Sequence, residues 1–553
     1  MKKTLKFAAI FGLALLCGTT VWAGSEKLSP ELKPENRSRS RSAQNAESGV
    51  EVIVQYKVTP TEAHHQRVAK LGGKLNAKME FIKGAHYTVP AAALDTLASD
   101  PDVAYITPDR AINPTFDNIT NGTIDAGYMN SEGYVGTGIG VAIIDSGIVD
   151  LPDFHTGSTD RIVYQQSFVG GTPADQFGHG THVAGILAGN GNGTVYQGVA
   201  YNANLINLRV LDANGNGTDS AVIQAIAAAV SLSGKYNIKV INLSLGRPVY
   251  ESASLDPLCQ AVEAAWKAGI FVAVAAGNDG RNNNAQTMGY GTITSPGNDP
   301  YVMTVGAIKA EGTTDRSDDR IASYSSKGPT LFDHYAKPDI VAPGNMVVST
   351  LPAGLTLSNL YPANRIGATN YFTLSGTSMA TPVVAAWAAM GYQNNTTITN
   401  DNIKADFMMS ATKVFPASST VVDPTTGLSY TSYYDAFTVG AGELDMQYIN
   451  TISFAPVGTS AKTPAVAYNK STGLVSMQGI GASNVVWGSN VVWGSNVVWG
   501  SSAVLSNNVV WGSNVVWGSS AMAGFNVVWG SNVVWGSSAN DATFSIGAIN
   551  TEP

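Results

Sequence analysis

The strongest constraint on the fold is a series of short apolar runs that begins near Gly138. The runs GIGVAIID, NLINLRVLD, KVINLSLG and GIFVAVAAGN each end in a polar residue or a glycine, and helical stretches such as PLCQAVEAAWKAG separate them. Short apolar runs that alternate with helices are typical of strands buried on both faces of a parallel sheet. We therefore predict an α/β domain with a mainly parallel sheet over residues 120–450.

Three polar residues stand where such a sheet collects its functional side chains, beyond the carboxyl ends of its strands. The stretch VAIIDSG puts Asp145 at a strand end, FGHGTHVAG puts His179 at the start of an apolar helix, and LSGTSMATP puts Ser378 in a glycine-containing turn. A serine hydroxyl becomes a strong nucleophile when an imidazole takes its proton, and a carboxylate fixes the tautomer of that imidazole. The pattern predicts nucleophilic catalysis by a serine.

Five motifs carry a family resemblance. AIIDSGI, HGTHVAGI, INLSLG, VAAGNDG and GTSMATP occur in this order over about residues 138–450. With the chain order Asp, His, Ser, they resemble the subtilases, the subtilisin-like serine proteases. The resemblance implies a three-layer subtilisin-like domain that hydrolyses peptide bonds in proteins or peptides through an acyl-enzyme.

The resemblance also implies roles for single residues. Ser378 would be the nucleophile, His179 the general base and acid, and Asp145 the orienting carboxylate. Asn278 would donate to the oxyanion together with the backbone N–H of Ser378. The residues implied in substrate binding, through an edge that pairs with the substrate backbone and an S1 pocket, are Ser244, Leu245, Gly246, Gly277 and Thr294.

Two of these positions leave alternatives open. Thr294 stands where the family often has glycine at the base of S1, which predicts a shallower or more polar pocket. His182 lies three residues after His179, and two histidines at this spacing can bind a metal. Because no third ligand is placed nearby, we interpret His182 as structural.

The motif GTSMATP is not the hydrolase elbow G-x-S-x-G, which disfavours an esterase.

The loop AGNGNGTVYQGVA has the length of a calcium-binding loop that the family often carries. The positions that correspond to its ligands are Asp153, Asn190, Asn192, Thr194 and Tyr196. Only Asp153 brings a charge, so backbone carbonyls would supply much of the remaining coordination of a structural Ca²⁺. The alternative is a surface loop rich in glycine and asparagine.

The N-terminal part of the chain predicts export. Residues 1–23 carry three lysines before an apolar run and end in VWA, as a secretory signal peptide does, and residues 24–49 form a polar linker predicted to be disordered. Residues 50–115 show a β-α-β-β-α-β pattern of the ferredoxin-like kind. This unit resembles the family's inhibitory propeptide, with cleavage between about residues 108 and 120. The alternative is an accessory domain that is never removed.

Charge and cysteine content limit the partners. The formal net charge is -8 and no basic patch stands out, so nucleic acid is not an expected partner. Removal of the signal peptide takes away Cys17 and leaves Cys259 alone, which predicts a chain without an internal disulfide. No stretch after the signal peptide is apolar and long enough to predict a membrane span. We expect a secreted or cell-surface protein.

The C-terminal part contains a hexapeptide repeat. A connecting segment (451–483) precedes seven copies of NVVWGS in residues 484–537, and a tail (538–553) follows. Two six-residue spacers keep the phase, so the tract predicts short strands with a turn in each unit, either as a β-solenoid or as a poorly ordered tail. Surface attachment or self-association is an open role. The second hypothesis for the whole chain is therefore a cell-surface binding or assembly protein with the protease domain as scaffold.

Overall fold

The computed structural model describes the greater part of the chain. The described residues are 25–29, 32–33, 49–109, 111–112, 132–284, 287–311, 316, 318–413, 415–423, 426–445, 460–469, 474–478, 491–493, 497–499, 509–511 and 515–517. The predicted signal peptide (1–23), the tail (538–553) and most of the repeat tract lie outside them. Within the described residues, no helix has both the length and the apolar character needed to span a membrane.

An N-terminal unit (residues 49–109) forms a four-stranded antiparallel sheet. Its elements in chain order are β1 (Val50–Tyr56), α1 (Glu62–Lys70), β2 (Lys74–Met79), β3 (Gly84–Val89), α2 (Leu94–Ala98) and β4 (Val103–Pro108). The spatial order is β2-β3-β1-β4, which is the topology expected of the β-α-β-β-α-β pattern. Val52, Val54, Tyr87 and Ile106 are among the buried residues of its own core.

The prediction of a disordered linker over residues 24–49 is wrong for the part that is described. Leu28 and Leu32 are buried in the core of the N-terminal unit, and Leu28 forms a parallel bridge with Ile106 of β4. The backbone N–H of Ser29 also donates to the Ile106 carbonyl at 2.9 Å. Two leucines four residues apart in a polar stretch are enough to anchor it, because each buries an apolar side chain worth about 1.5–3 kcal/mol.

The main domain (residues 132–445) contains the parallel sheet. Its strands, with the preceding short strand β5, are β5 (Ala111–Ile112), β6 (Gly140–Asp145), β7 (His155–Thr156), β8 (Thr159–Asp160), β9 (Ile162–Ser167), β10 (Asn204–Arg209), β11 (Gly217–Thr218), β12 (Ile238–Leu243), β13 (Phe271–Ala275), β14 (Met303–Lys309), β15 (Arg320–Ile321), β16 (Ile340–Pro343), β17 (Val347–Thr350), β18 (Tyr371–Leu374), β19 (Ser418–Val422) and β20 (Ser429–Tyr433). Its helices are α3 (His179–Ala188), α4 (Asp219–Tyr236), α5 (Pro257–Lys267), α6 (Thr356–Leu360), α7 (Thr377–Asn394) and α8 (Asn400–Ser410).

The central sheet has eight strands, in the order β15-β14-β13-β12-β6-β10-β9, with β16 also paired to β14. Every pairing is parallel except that of β14 with β15. Helices α3 and α7 pack together on the sheet, and α4 and α5 form a second pair on it. All residues of β6 and β13 are buried, as strands covered on both faces must be. The prediction of a three-layer domain with a mainly parallel sheet is confirmed.

The two folded parts share one apolar core. Ile53, Met79 and Ile82 of the N-terminal unit belong to the same buried cluster as the helices of the main domain. The strand β5 continues the contact, because it pairs antiparallel with β11 just before α4. The N-terminal unit therefore sits on α4 and α5, next to the edge strand β11.

The described residues after the main domain form strand pairs. Two antiparallel strands, β21 (Ala465–Asn469) and β22 (Leu474–Gln478), follow residues 460–464. Four VVW triplets of the repeat tract form two more antiparallel pairs, β23 (Val491–Trp493) with β24 (Val497–Trp499) and β25 (Val509–Trp511) with β26 (Val515–Trp517). The other three copies lie outside the described residues.

Candidate active site

A strand end and the starts of two helices bring the predicted catalytic side chains to one edge of the sheet. Asp145 is the last residue of β6, and the adjacent parallel strand β12 leads directly to Ser244. His179 begins α3 and Ser378 lies in the first turn of α7, and these two helices pack against each other. The α3 helix starts after Gly178, whose φ of +111° lies in the region that favours glycine.

Asp145 and His179 form a buried pair. The Nδ1 atom of His179 lies 2.8 Å from Oδ1 of Asp145, and neither side chain is exposed to solvent. The backbone N–H of Ser146 donates to the same carboxylate oxygen at 2.7 Å. The strand end and the helix can approach this closely because residue 180 is a glycine: a Cβ there would lie 2.3 Å from the Gly147 carbonyl oxygen. A carboxylate on Nδ1 leaves Nε2 as the nitrogen that exchanges protons.

Asp175 is a residue of this site that the sequence analysis missed. Its carboxylate is buried and accepts hydrogen bonds from the N–H groups of Phe177, Gly178 and Thr181 at 2.8–2.9 Å. It also accepts one from the hydroxyl of Ser146, next to Asp145. Burial raises the pKa of this carboxyl above its ordinary value, and the hydrogen bonds act in the opposite direction. Asp175 therefore ties the start of α3 to the end of β6. Its place four residues before His179 in DQFGHG was the available signal.

Ser378 is held by a reciprocal pair of hydrogen bonds with Ser244. The Ser378 hydroxyl donates to the Ser244 carbonyl at 3.1 Å, and the Ser244 hydroxyl donates to the Ser378 carbonyl at 2.8 Å. The Asn242 side chain donates to the Ser244 hydroxyl at 3.0 Å. The end of β12 and the start of α7 are thus locked together. Ser244, which the sequence analysis assigned to the substrate edge, also has this second contact.

The carboxamide of Asn278 has a fixed orientation. Its Oδ1 atom accepts hydrogen bonds from the backbone N–H of Thr377 at 2.9 Å and from the Thr377 hydroxyl at 3.1 Å. Its Nδ2 atom is buried and has no hydrogen-bond partner among the described residues. Because a buried amide N–H group is rarely left unsatisfied, this arrangement suits a donor whose acceptor arrives with the substrate.

Gly277 and Thr294, which are predicted to form S1, lie close together, and Gly246 of the predicted substrate edge lies beside Thr294. A Cβ on Gly246 would lie 2.6 Å from the Thr294 hydroxyl, and a Cβ on Gly277 would lie 2.7 Å from the Thr294 methyl group. Thr294 and Leu245 are both buried. Glycine is therefore needed at positions 246 and 277, because a side chain at either position would collide with Thr294. A threonine in this position agrees with the predicted shallower pocket, which stays a prediction.

The predicted calcium residues are of the right donor type, but the side chains of Asp153, Asn190 and Thr194 already have partners. Asp153 is buried, and its Oδ1 accepts a hydrogen bond from the Tyr371 hydroxyl at 2.5 Å. The Asn190 side chain accepts from the N–H of Asn192 at 2.7 Å and donates to the His155 carbonyl at 2.6 Å. A bound Ca²⁺ needs six to eight oxygen ligands around it, so it would either share the Asp153 carboxylate with Tyr371 or displace that hydroxyl.

A second group of ligand types lies beside this loop, and the sequence analysis did not single it out. Ligand atoms of Asp150, His155 and Asp160 all lie within 4.8 Å of one another. The His155 Nε2 atom is 2.6 Å from an Asp150 oxygen. His155 and Asp160 face each other across the short hairpin of β7 and β8. As the side chains lie, His155 and Asp150 form a hydrogen bond at the surface of this hairpin.

Comparison with known proteins shows a family for this chain. A match to the Subtilase family covers residues 136–430. The chain is 35% identical over 347 residues to Serine protease AprX of Bacillus subtilis (strain 168), a match that covers 60% of this chain and 74% of AprX. It is 34% identical over 348 residues to Subtilisin E of the same organism, covering 62% of this chain and 80% of Subtilisin E.

A solved structure shows the same fold. Fervidolysin from Fervidobacterium pennivorans, a keratinolytic enzyme related to subtilisin, aligns with a TM-score of 0.55 at 20% sequence identity. The alignment covers 74% of this chain and 62% of fervidolysin. The family match, the relatives and the shared fold lead to one conclusion: the chain belongs to the subtilase family of serine endopeptidases.

Proposed function

We propose that this chain is a secreted serine endopeptidase made as an autoinhibited preproprotein, with Asp145, His179 and Ser378 as its catalytic triad and Asn278 in its oxyanion hole. The observation that carries the proposal is the buried pair of His179 and Asp145, 2.8 Å apart, at the sheet edge where the first turn of α7 contains Ser378. The orientation of Asn278 adds an independent argument, since its Nδ2 has no other partner among the described residues.

The chemistry follows from these groups. The Ser378 hydroxyl oxygen attacks the carbonyl carbon of the scissile peptide bond while Nε2 of His179 takes the hydroxyl proton. The oxyanion of the tetrahedral intermediate accepts hydrogen bonds from Nδ2 of Asn278 and from the backbone N–H of Ser378. The intermediate collapses to an acyl-enzyme, and His179 gives its proton to the leaving amine. Water then attacks the ester with His179 again as base, which regenerates Ser378.

Asp145 acts through His179. Its carboxylate accepts the Nδ1–H of the imidazole, so it holds the neutral tautomer whose Nε2 is a base and stabilises the imidazolium that forms. The contact is fully buried, and a charge-assisted hydrogen bond is stronger where water is excluded.

The contacts of the N-terminal unit support an inhibitory role. The Asp109 carboxylate accepts hydrogen bonds from the backbone N–H and the hydroxyl of Ser220, in the first turn of α4. The Gln55 side chain donates to the Leu255 carbonyl at 2.9 Å, and the Thr107 hydroxyl donates to Glu251 at 3.3 Å. These polar contacts surround the shared apolar patch and fix the register of the unit on α4 and α5.

The pairing of β5 with β11 supports the position of the cleavage. Ala111 and Ile112 come shortly after Asp109 in the chain and occupy the β11 edge as an added antiparallel strand. A peptide substrate held in this way has its scissile bond downstream of the paired residues. We propose that the chain is cleaved after Ile112, within the predicted window of about residues 108–120, and that the N-terminal unit then stays bound as an inhibitor until it is degraded.

Export and the repeat tract complete the proposal. We propose that residues 1–23 direct export and are removed, and that the NVVWGS repeats attach the protease to a surface or to other copies. The hypothesis of a non-catalytic assembly protein is not favoured, because the chain belongs to a family of proteases and keeps all four predicted catalytic residues.

A covalent label tests the catalytic proposal. A fluorophosphonate probe should label the matured protein, and Ser378→Ala should abolish the labelling, because only an activated serine reacts. Ser375→Ala, three residues away in the same turn region, should still be labelled. Absence of labelling in the matured wild-type protein, or labelling that persists in Ser378→Ala, would remove the proposed mechanism. Intact mass measurement of the labelled protein reports its mature N-terminus at the same time.

A further inference from the structure

We propose that Arg247 is a positioning residue of the substrate cleft, which holds the two strands that flank an extended substrate in a fixed relation to each other. The inference rests on the proposed function and goes beyond it, because it assigns a role to a residue outside the catalytic set. It predicts that Arg247 determines how strongly the enzyme prefers long peptide substrates to short ones.

Arg247 lies at the centre of a buried ionic cluster. Its Nε and Nη2 atoms donate to the two carboxylate oxygens of Asp219 at 2.9 Å each, and Nη2 also donates to Asp256 at 2.8 Å. The side chain of Arg247 is 1% exposed, and those of Asp219 and Asp256 are not exposed. A guanidinium that bridges two carboxylates in this way fixes both in distance and in direction.

Each partner of Arg247 belongs to a different element around the cleft. Asp219 is the first residue of α4 and directly follows Thr218 of β11, the edge that already carries an added strand, β5. Asp256 caps the start of α5, where it accepts the N–H of Leu258 at 2.9 Å, and it also accepts the hydroxyl of Ser295 at 2.8 Å. The cluster therefore joins β11, α5 and the loop that follows Thr294.

Arg247 itself continues the second edge. It follows Ser244, Leu245 and Gly246 directly in the chain. Its backbone pairs with Ser295 through two hydrogen bonds, at 2.9 and 2.8 Å, which fix the Ser244–Gly246 segment beside the proposed S1 wall. A substrate strand bound between β11 and the Ser244–Gly246 segment would contact both edges. Arg247 joins these edges, because it follows Gly246 in the chain and its side chain binds Asp219 next to β11.

The electrostatics of the cluster argue for a geometric role. One guanidinium and two carboxylates lie together in a site without solvent contact, and removal of such groups from water costs free energy that their mutual attraction repays only with good geometry. Apolar side chains of similar volume often stabilise such a space as well or better. What the ionic cluster supplies instead is fixed spacing, since its hydrogen bonds have defined lengths and directions. Such precision matters where two edges must bind one substrate backbone at the same time.

The experiment compares two substrates that differ only in length. Acetyl-Leu p-nitroanilide reaches only the S1 pocket, whereas acetyl-Ala-Ala-Pro-Leu p-nitroanilide also reaches the β11 edge. We measure the ratio of kcat/KM for the long substrate to that for the short one in the matured wild-type enzyme and in Arg247→Met. The ratio should fall by about ten- to a hundredfold in Arg247→Met, mostly through KM of the long substrate. Arg247→Lys keeps the charge but cannot bridge both carboxylates with a planar group, so it should give an intermediate ratio.

Arg161 provides a matched control. It is another buried arginine of the main domain, but it donates to backbone carbonyls of Asp153, Ala188 and Ala203, away from the cleft. Arg161→Met should lower thermal stability while it leaves the substrate ratio as in the wild type. A ratio unchanged in Arg247→Met, or lowered equally in Arg161→Met, would overturn the inference.

Two further measurements keep the result unambiguous. If Arg247→Met does not fold, Arg247→Lys and Asp219→Asn carry the same comparison, and a wild-type ratio in both overturns the inference. Fluorophosphonate labelling of each variant separates the two proposals. A labelled variant with a wild-type ratio contradicts only the role of Arg247, whereas a wild-type protein that takes no label contradicts the proposed function.

Discussion

At the scale of single residues, hydrogen bonds fix the orientation of the proposed catalytic side chains. Asn278 is the clearest case, because Thr377 occupies its carbonyl oxygen twice and so turns the NH₂ group toward the proposed oxyanion position. Asp175 has the same kind of effect on α3, since it accepts five hydrogen bonds, three from backbone N–H groups and two from hydroxyls. In both cases a neighbouring polar group fixes the position of a residue that we propose to act in catalysis.

The first prediction concerns Asn278. Asn278→Ala should lower kcat by about 10²–10³-fold with little change in KM, because the lost hydrogen bond forms with the oxyanion and not with the ground-state carbonyl. Steady-state kinetics on a peptide p-nitroanilide measure both constants. Asn298→Ala, a buried asparagine beside Cys259, is the control and should affect stability more than kcat. A drop in kcat of less than about tenfold for Asn278→Ala would contradict the oxyanion role.

The second prediction concerns a buried carboxyl pair distant from the triad. Burial raises the pKa of Glu443 to about 9 from an ordinary value of 4.5, and the neighbouring carboxylates of Asp319 and Asp445 raise it too. The positive charge of Arg316 lowers this pKa, but by less. Between these two pH values the folded protein keeps a proton that the unfolded chain has lost. The free energy of unfolding should therefore fall as the pH rises through this window.

Glu443→Gln should flatten this dependence, because an amide cannot ionise. The free energy of unfolding, from urea denaturation between pH 5 and 9, should fall less steeply with pH in Glu443→Gln than in the wild type. Glu263→Gln is the control, since Glu263 forms a surface pair with Lys267. Parallel curves for Glu443→Gln and the wild type would show that this carboxyl does not govern alkaline stability.

At the scale of elements, the helix starts carry most of the polar contacts that matter. The α4 and α5 helices begin close together, and Thr218 and Asp256 cap them. The N-terminal unit adds a third capping group, because the Asp109 carboxylate accepts the Ser220 N–H at 2.7 Å. A negative charge at a helix N-terminus meets the unsatisfied N–H groups and the positive end of the helix dipole. The unit is thus held at the same helix end that borders the β11 edge.

The third prediction uses this contact. Asp109→Ala should weaken the hold of the N-terminal unit by about 1–2 kcal/mol, so the precursor should mature and become labelled by a fluorophosphonate earlier than the wild type. A time course of labelling and intact mass measures this. Asp95→Ala, in the first turn of α2 within the N-terminal unit, is the control and should follow the wild-type time course. Identical time courses for Asp109→Ala and the wild type would exclude the capping contact as a brake on maturation.

The fourth prediction concerns the loop that follows α3. If a structural Ca²⁺ binds at Asp153, as we propose from the donor types, EDTA should lower the melting temperature by several degrees and added Ca²⁺ should restore it. Tyr371→Phe removes the hydroxyl that contacts Asp153, so this variant should retain the response to EDTA. A melting temperature that is indifferent to EDTA in the wild type but reduced in Tyr371→Phe would assign the closure of this loop to the Asp153–Tyr371 hydrogen bond instead.

At the scale of the whole molecule, the chain after the main domain returns to it. Residues 460–466 pack beside α8, where Ala461 and Val466 join the main core. The Thr463 hydroxyl donates to Asp339 at 2.5 Å, and Lys404 donates to Thr463 at 3.0 Å. Asp339 also pairs with Lys337 at 2.6 Å, and none of these charged groups is exposed. The predicted connecting segment, 451–483, therefore contains residues that complete the fold of the protease.

The fifth prediction follows from this packing. A chain that ends after Ser483 lacks the repeats and should keep the wild-type melting temperature and kcat. A chain that ends after Val457 also lacks the cover over Asp339 and Lys404, and its melting temperature should be about 5 °C lower or more, since a few kcal/mol of burial and hydrogen bonding are lost. Differential scanning calorimetry measures the difference. Equal melting temperatures for the two truncated chains would show that residues 460–466 add nothing to the stability.

The sequence by itself determined the class of the fold and the composition of the candidate site. Apolar runs, glycines at tight approaches and the residues of the five motifs are local properties, because burial on both faces and close backbone contact constrain each short segment on its own. The placing of Asp145 at a strand end and of His179 and Ser378 at helix starts could therefore be read from single stretches.

Only the tertiary structure decided which distant groups meet. Arg247 and Asp219 are 28 residues apart in the chain, Tyr105 and Glu251 are 146 apart, and Thr463 and Asp339 are 124 apart. No local sequence pattern distinguishes these charged and polar residues from surface residues. Their partners are distant in the sequence, and the two groups meet only when folding buries both of them. The linker is a smaller example, because its polar composition predicted disorder. In the structure, two buried leucines, Leu28 and Leu32, hold part of it against the N-terminal unit.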